Sequence, residues 1–252
     1  MERIRKPFQG VTNIAKFNRH FYLPALIMAS TFFILSFIVD DLSGYFILLA
    51  LLIMLPVFLS LIVSYFVYDV SNLYSFNWLQ QFRLNTNSII NINAGFDETS
   101  ALLQQKFKPN TLQVFDFYDE AKHTEISIKR ARLAYPSYKD TKKILTSTVP
   151  VIVQKANTLF LFFAAHEIRD DNERILFFKN LHSLLEVEGK IIVTEHLRDL
   201  NNFAAYNIGF LHFLSYNTWL TTFATAGLAI NTTIKITPFV TTFILTKHAI
   251  AS

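Results

Sequence analysis

Two acid–imidazole pairs stand out by type and spacing: His166-Glu167, and Glu195-His196 running on into Leu197-Arg198-Asp199. An imidazole titrates near neutrality, and a neighbouring carboxylate can orient it, so such a pair suits the removal of a proton from a nucleophile. His166 or His196 is therefore the expected base, with Glu167 or Glu195 orienting it and Arg198 as the accompanying cation. Thiol chemistry is excluded, because the 252 residues contain no cysteine. A disulfide framework and a thiolate metal centre fall with it. No HExxH spacing occurs, and adjacent residues of a strand point to opposite faces, so the sequence predicts no metal site at either pair.

Both pairs need a framework, and the residues after Tyr68 supply one. Short apolar strands alternate with helical patterns, which argues for a mostly parallel sheet covered by helices. Strands are predicted at Ser88–Asn93, Leu112–Phe117, Thr158–Phe163 and Lys190–His196. Helices are predicted from Asp97 to Phe107 and over Lys122–Ala134, where Pro136 stops the second. Asp171 is the expected cap of a third helix, with a core face of Ile175, Phe178, Leu181 and Leu185. A longer helical stretch, Asn201–Ala226, ends at Gly227 and carries Phe203, Tyr206, Phe210, Phe213, Trp219 and Phe223 at core spacing. Ile230–Ile236 and Phe239–Ile244, joined by Thr237-Pro238, should pair antiparallel. Lys139–Val149 reads as loop with one poor strand. Lys129, Arg130 and Arg132, with Glu125 four residues before the first, read as a solvated helix face.

The first 69 residues have a different character. Overall, 52% of the chain is hydrophobic and 17% charged, with a mean hydropathy of +0.31, which excludes a disordered chain and an ordinary soluble domain. Two apolar runs, Leu23–Val39 and Tyr45–Tyr68, flank Asp40-Asp41-Leu42-Ser43-Gly44, and no Lys or Arg stands between Phe21 and Asp69. About 20 residues cross a bilayer core, so the runs are read as a transmembrane helical hairpin. Pro24 falls in a first turn and Pro56 kinks the second helix. Arg3, Arg5, Lys6, Lys16 and Arg19 against Glu2 account for the whole formal charge of +4. A basic tail before a span marks the cytoplasmic side, so both termini are expected there. With the rest of the chain balanced, a nucleic-acid partner is not expected. The organisation is then a tail over residues 1–20, a hairpin over 21–69 and an α/β domain over 70–252.

Four places in that domain resemble the class I S-adenosylmethionine-dependent methyltransferases, a doubly wound, Rossmann-like fold whose last strand runs antiparallel. They are Ile90-Asn91-Ile92-Asn93-Ala94-Gly95-Phe96-Asp97, at the family's strand and glycine turn; Val114-Phe115-Asp116-Phe117, an acid ending the second strand; Leu161 to Ile168; and Leu184 to Val193. The resemblance covers about residues 85–247. It implies that Asn91, Asn93, Ala94, Gly95, Asp116, Phe117 and Ala165 hold the cofactor, S-adenosylmethionine, with Asp116 accepting the ribose hydroxyls. Ligands of such sheets sit at the carboxyl ends of the strands, where both acid–imidazole pairs lie. Tyr206, Asn207 and His212 fall on the segment that closes over substrate in this family.

The glycine motif is degenerate. Only Gly95 remains, with Asn93 and Asp97 at the other turn positions, Asn91 where an acid is common, and Asn157 for the Asp that often opens the fourth strand. Asn tolerates left-handed backbone, so Asn93 can keep the turn. The resemblance implies methyl transfer to a hydrophobic acceptor at the cytoplasmic leaflet, with the lipid bilayer as partner. The alternative from another class is a non-catalytic, membrane-anchored binding or scaffold module on the same fold.

Overall fold

The structure, a computed structural model, describes residues 5–123 and 125–248. Glu2 and Arg3 of the basic tail, and residue 124 of the helix predicted over Lys122–Ala134, lie outside them. The framework is a seven-stranded sheet in the order β3-β2-β1-β4-β5-β7-β6. Its strands are β1 (Ser88–Asn93), β2 (Thr111–Asp116), β3 (Lys142–Lys143), β4 (Ala156–Phe162), β5 (Leu185–His196), β6 (Leu228–Thr237) and β7 (Val240–Lys247). The pairs β1/β2, β1/β4, β2/β3 and β4/β5 are parallel, while β7 runs antiparallel to both β5 and β6. The last strand is therefore reversed, as the sequence predicts, and the poor strand in 139–149 is the two-residue edge strand β3.

Continuous apolar runs make β4 and β5 central strands, because both faces are covered. Leu159 and Leu161 face one core with Phe178, Trp219 and Phe243, while Phe160 and Phe162 face the other with Phe76, Leu73 and Val67. The first core lies under α6 (Asp171–Leu184) and α8 (Tyr216–Thr225). The second is closed partly by the foot of the apolar α3 (Ser43–Tyr65), whose Val63 is buried there.

Several boundaries move for physical reasons. The first domain helix, α4 (Ser100–Phe107), starts at Ser100 rather than Asp97, because Asp97 Oδ1 accepts the N–H groups of Thr99 and Ser100 at 2.9 Å in a side-chain turn just before the helix, whose N-cap is Thr99. Asp170, not Asp171, caps α6, accepting Glu173 N–H at 2.8 Å. The core face of α6 shifts with it to Phe177, Phe178, Leu181 and Leu184, leaving Ile175 half-buried. Glu188-Gly189, a dipeptide expected to turn the third helix into the strand at Lys190, instead lies within β5, where a bulge brings Gly189 so near Ala156 that a Cβ would stand 2.9 Å from the carbonyl oxygen.

The stretch read as one helix over 201–226 is broken. It forms α7 (Leu200–Tyr206), a 3-10 segment Asn207–His212, extended residues and then α8, with the break at Asn207, φ 51°. Leu197 bridges to Leu214 across this gap. On α5 (Ile126–Ala134) the predicted solvated face holds for Lys129, which is exposed, but not for its neighbours: Arg130 donates to the Phe17 carbonyl at 2.7 Å and Arg132 turns inward to Asp116.

Before the sheet come α1 (Gln9–Phe17), α2 (Arg19–Leu35) and α3. Residues 9–17, read as part of a tail, are a helix held down by Asp69, whose carboxylate accepts Gly10 N–H at 2.7 Å and Val11 N–H at 2.8 Å. Because α2 begins at Arg19, Pro24 sits in its second turn rather than its first. The segment Asp40–Ser75 is the one helix among the described residues long and apolar enough to cross a membrane; α2 is apolar but has 17 residues. The two helices pack together, with Phe32 stacked on Phe46 and Tyr22 bonded to Ser60.

Candidate active site

The carboxyl ends of β1, β4 and β5 open into a cavity of about 1020 Å³. The turn after β1 gives Asn93 and Ala94, the residues after β4 give Phe163, His166 and Glu167, and β5 ends in His196. The broken segment before α8 covers it with Tyr206, Asn207, His212 and Phe213. Helices α1 and α3 close the far side with Asn13, Phe17, Pro56 and Ser60. Phe163 holds a positive φ of 47° at the end of β4, a conformation costly for a side chain of its size and found where a site fixes geometry. Its ring stacks on His196 at 4.9 Å between centroids.

His166 and Glu167 lie in the 3-10 turn Ala165–Glu167, not in a strand, so the argument from alternating strand faces does not apply to them. His166 Nδ1 is 2.6 Å from Glu195 Oε2, and Glu195 Oε1 accepts the N–H groups of Ala165 at 2.9 Å and His166 at 3.3 Å. His166 Nε2 and His212 Nε2 each lie 3.3 Å from Glu167 Oε1. His212 Nδ1 in turn is 2.5 Å from Glu125 Oε1. Burial works against charge on His166, but Glu195 and Glu167 outweigh it and push its pKa up to about 10. Burial likewise works against ionisation of Glu167, and hydrogen bonds from His166 and His212 hold it well below the usual carboxylate range. The two carboxylates thus bias His166 toward its charged form, which disfavours it as the base.

His196 has the opposite character. Burial lowers its pKa to about 4, although the Phe239 carbonyl and Asn202 favour the charged form. Its Nδ1 donates to Phe239 O at 2.8 Å and lies 3.2 Å from Asn202 Oδ1, which leaves Nε2 as the acceptor. Tyr68 donates its hydroxyl to Nε2 at 2.7 Å. The result is a neutral, oriented imidazole coupled to a phenol, both lining the cavity.

At the glycine turn, Asn93 Oδ1 accepts Gly95 N–H at 3.0 Å, and Gly95 has φ 93°. Asn93 lines the cavity, and its Nδ2 is buried with no partner among the described residues. Asp116, 1% exposed, accepts Tyr118 N–H at 2.8 Å through Oδ1. Its Oδ2 takes Arg132 Nη1 at 3.0 Å and also Lys143. The Arg132 guanidinium lies over the Tyr118 ring, 4.2 Å from its centroid. A Cβ on Gly95 would meet Arg132 Nη1 at 2.5 Å, so the end of this long side chain fills the crevice between Gly95 and Asp116.

Of the predicted residues, the cavity therefore collects His166, Glu167, His196, Tyr206, His212, Asn93 and Ala94, with Glu195 directly behind His166. Others do different work. Asn91 is buried under α4, donating to Ser100 Oγ at 2.7 Å and Thr99 Oγ1 at 2.9 Å. Phe117 packs on Phe177 in the core, and Ala165 contributes only its buried N–H. Arg198 is exposed and binds the carbonyls of Leu211 and Phe213, each at 2.8 Å, pinning the covering segment rather than entering the site. Sequence reading missed Tyr68, Glu125 and Glu98. Glu98 lines the cavity and gathers Arg5 and Tyr74 at 2.9 Å and Asn13 at 3.2 Å. Its partners come from the amino-terminal segment, so no local pattern marks it; Tyr68, the polar end of an apolar run, carried the one readable signal.

No family model matches the chain, and no curated protein matches it. Solved structures similar to it include an S-adenosylmethionine-dependent methyltransferase from Clostridium acetobutylicum, at 9% identity, covering 69% of this chain and 89% of that one, with a TM-score of 0.48. The CcbJ methyltransferase from Streptomyces caelestis is similar at 10% identity, 71% and 90% coverage, and a TM-score of 0.49. LepI in complex with SAM is similar at 16% identity and a TM-score of 0.47, covering 65% of this chain and 43% of that one. Each score is below 0.5, and the fold described above rests on strand order and direction alone.

Proposed function

We propose that this protein is an S-adenosylmethionine-dependent methyltransferase acting on a hydrophobic small molecule at the cytoplasmic face of a membrane, with α2 and α3 as two spans and both termini cytoplasmic. The observation that carries this reading is the single cavity that runs from the turn after β1, past a neutral imidazole, to the apolar helices. Outward-facing Leu26, Ile27, Phe37, Leu51, Leu52 and Leu55 support the anchor. An acceptor that partitions into lipid would reach the cavity between α1 and α3.

Two features of the turn suit the cofactor's amino-acid end: Asn93 Nδ2 is a buried donor without a partner among the described residues, and Gly95, packed against Arg132 and Tyr118 Cβ, leaves no room there for any side chain of its own. Asn93, Ala94 and Gly95 would hold that end, and Asp116 the ribose once Arg132 swings aside. When bound, the cofactor supplies an electrophilic methyl group. The chain's own task is then to orient the acceptor and take its proton. An acceptor hydroxyl donating to Tyr68 Oη would pass a proton through Tyr68 to His196 Nε2, while the Phe239 carbonyl keeps the Nδ1 proton in place. The phenyl groups of Phe163 and Phe213, both stacked on His196, exclude water from the relay.

Arg132 supports a second reading, a non-catalytic module whose nucleoside site is filled by its own cation. Calorimetric titration of detergent-purified protein with S-adenosylmethionine separates the two. The transferase reading expects binding by wild type, tighter binding by Arg132→Ala, and weakening by Asp116→Ala of about 1.5–3 kcal/mol from lost bonds to a charged acceptor. No heat from either wild type or Arg132→Ala at high protein concentration leaves the module.

A further inference from the structure

We infer that His166, Glu167 and His212 form a binding site for one divalent cation of the Zn²⁺ class, with Glu195 and Glu125 as supporting carboxylates. The three potential ligand atoms lie within 4.8 Å of one another. Both imidazole Nε2 atoms stand 3.3 Å from the same carboxylate oxygen, Glu167 Oε1. Ligands about 2.0–2.1 Å from a tetrahedral ion are separated by about 3.3 Å, so these spacings are already those of tetrahedron edges. The supporting contacts are as telling as the ligands. Each histidine has its other nitrogen against a different carboxylate, His166 Nδ1 at 2.6 Å from Glu195 and His212 Nδ1 at 2.5 Å from Glu125. A carboxylate on Nδ1 fixes the tautomer that presents Nε2 and raises its basicity, the usual outer shell of a metal-bound histidine.

Charge points the same way. Glu125, Glu167 and Glu195 converge on two imidazoles, and the cations facing them are Arg169 and, in its charged form, His166, so the carboxylates still exceed them by one charge. Arg169 lies across His212, its Nη2 touching both ring nitrogens (Nε2 at 2.9 Å) and its Nη1 donating to the His212 carbonyl; its side chain is 44% exposed and can withdraw into solvent when a metal takes Nε2. Two nitrogens and one carboxylate suit Zn²⁺ or Fe²⁺ better than Mg²⁺, which takes oxygen ligands. His166, Glu167 and His212 all line the cavity, so the remaining coordination position faces whatever occupies it. The three ligands come from the turn after β4 and from the segment covering the cavity, so a bound ion would staple that cover shut. The inference concerns metal binding and does not depend on the methyl-transfer reading.

The test uses the full chain in detergent, purified through a tag without histidine and stripped with chelator. It is titrated with Zn²⁺ alone and with Mg²⁺ alone, and with Co²⁺ as a visible-absorption probe. The expected result is one Zn²⁺ per chain at micromolar affinity or tighter, a raised Tm, and Co²⁺ bands of the intensity of a four-coordinate site. Mg²⁺ should give neither heat nor a Tm shift at the same concentration. His212→Ala should weaken Zn²⁺ at least 100-fold, and Glu125→Gln, which keeps all three ligands, about 10-fold or more. No heat and no Tm shift with 100 µM Zn²⁺ (about tenfold above a weak micromolar site) overturns the inference. So does Zn²⁺ affinity unchanged in both variants, since the ion would then sit on other histidines.

Discussion

His196 and His166 stand on neighbouring strand ends yet are pushed in opposite directions, His166 toward the charged form and His196 toward the neutral one, and their surroundings explain why. Two carboxylates touch His166, whereas His196 meets a carbonyl, an amide and a phenol. Under the transferase reading, His196→Ala should lower kcat about 10²-fold, as loss of a positioned base does, with S-adenosylmethionine affinity unchanged. Tyr68→Phe, which keeps the ring, should do nearly the same. Full turnover in both variants would remove the relay. The pH behaviour of His196 has a definite sign. The folded chain keeps the imidazole neutral down to about pH 4, while the unfolded chain protonates it below about 6.5. Wild-type stability is therefore lost as pH falls through that window, by about 2 kcal/mol between pH 7.5 and pH 5. His196→Gln has no such group, so the Tm gap between wild type and variant should narrow on acidification. A gap independent of pH would mean that the imidazole is not buried neutral. None of this was readable from residue type: both histidines adjoin a glutamate in sequence, and only the fold decides that Glu195 serves His166 across a strand rather than its own neighbour.

At the scale of elements, the central strands were legible because both faces of the sheet are apolar, and α6 because an aspartate caps its start. The failures share one cause, polar residues whose partners are distant in sequence. Asp97 looked like a helix residue, yet it holds the turn before α4 by accepting the N–H groups of Thr99 and Ser100, and Asn91 beneath it ties the same turn through Thr99 and Ser100. Asp97→Ala should cost about 1 kcal/mol, the usual net loss when such side-chain hydrogen bonds are removed, seen as a fall in Tm of about 2–4 °C for a chain of this size. Asp97→Asn, whose amide oxygen can accept the same N–H groups, should recover most of it; equal Tm for wild type and Asp97→Ala would show that the turn is held by something else. The break in 201–226 escaped notice for a related reason. Its aromatic spacing is helical, but Phe210 and Phe213 leave the helix to pack on Phe203 and His196. That break lets His212 face Glu167, so the element the pattern read wrongly is the one that completes the site.

The whole molecule joins an apolar hairpin to a catalytic-type sheet through α1, which Asp69 and Glu98 clamp against the cavity. The same geometry fixes what a membrane must do. The exposed apolar flank of α2 and α3 ends at Asp40-Asp41, while α1 and the sheet lie at the opposite end of the hairpin. If the hairpin crosses the bilayer twice, residue 41 and the sheet are on opposite sides, and the basic residues around α1 place the sheet in the cytoplasm. If the pair instead lies flat in one interface, both are on the same side. The absence of cysteine makes the distinction clean, because a single introduced thiol is the sole target for a maleimide. Asp41→Cys and Glu188→Cys both substitute exposed residues. In intact cells a membrane-impermeant maleimide should modify Asp41→Cys and spare Glu188→Cys, with both labelled after lysis. Protection of both until lysis would mean that α2, at 17 residues, does not span, and that the cavity meets the membrane from one face only.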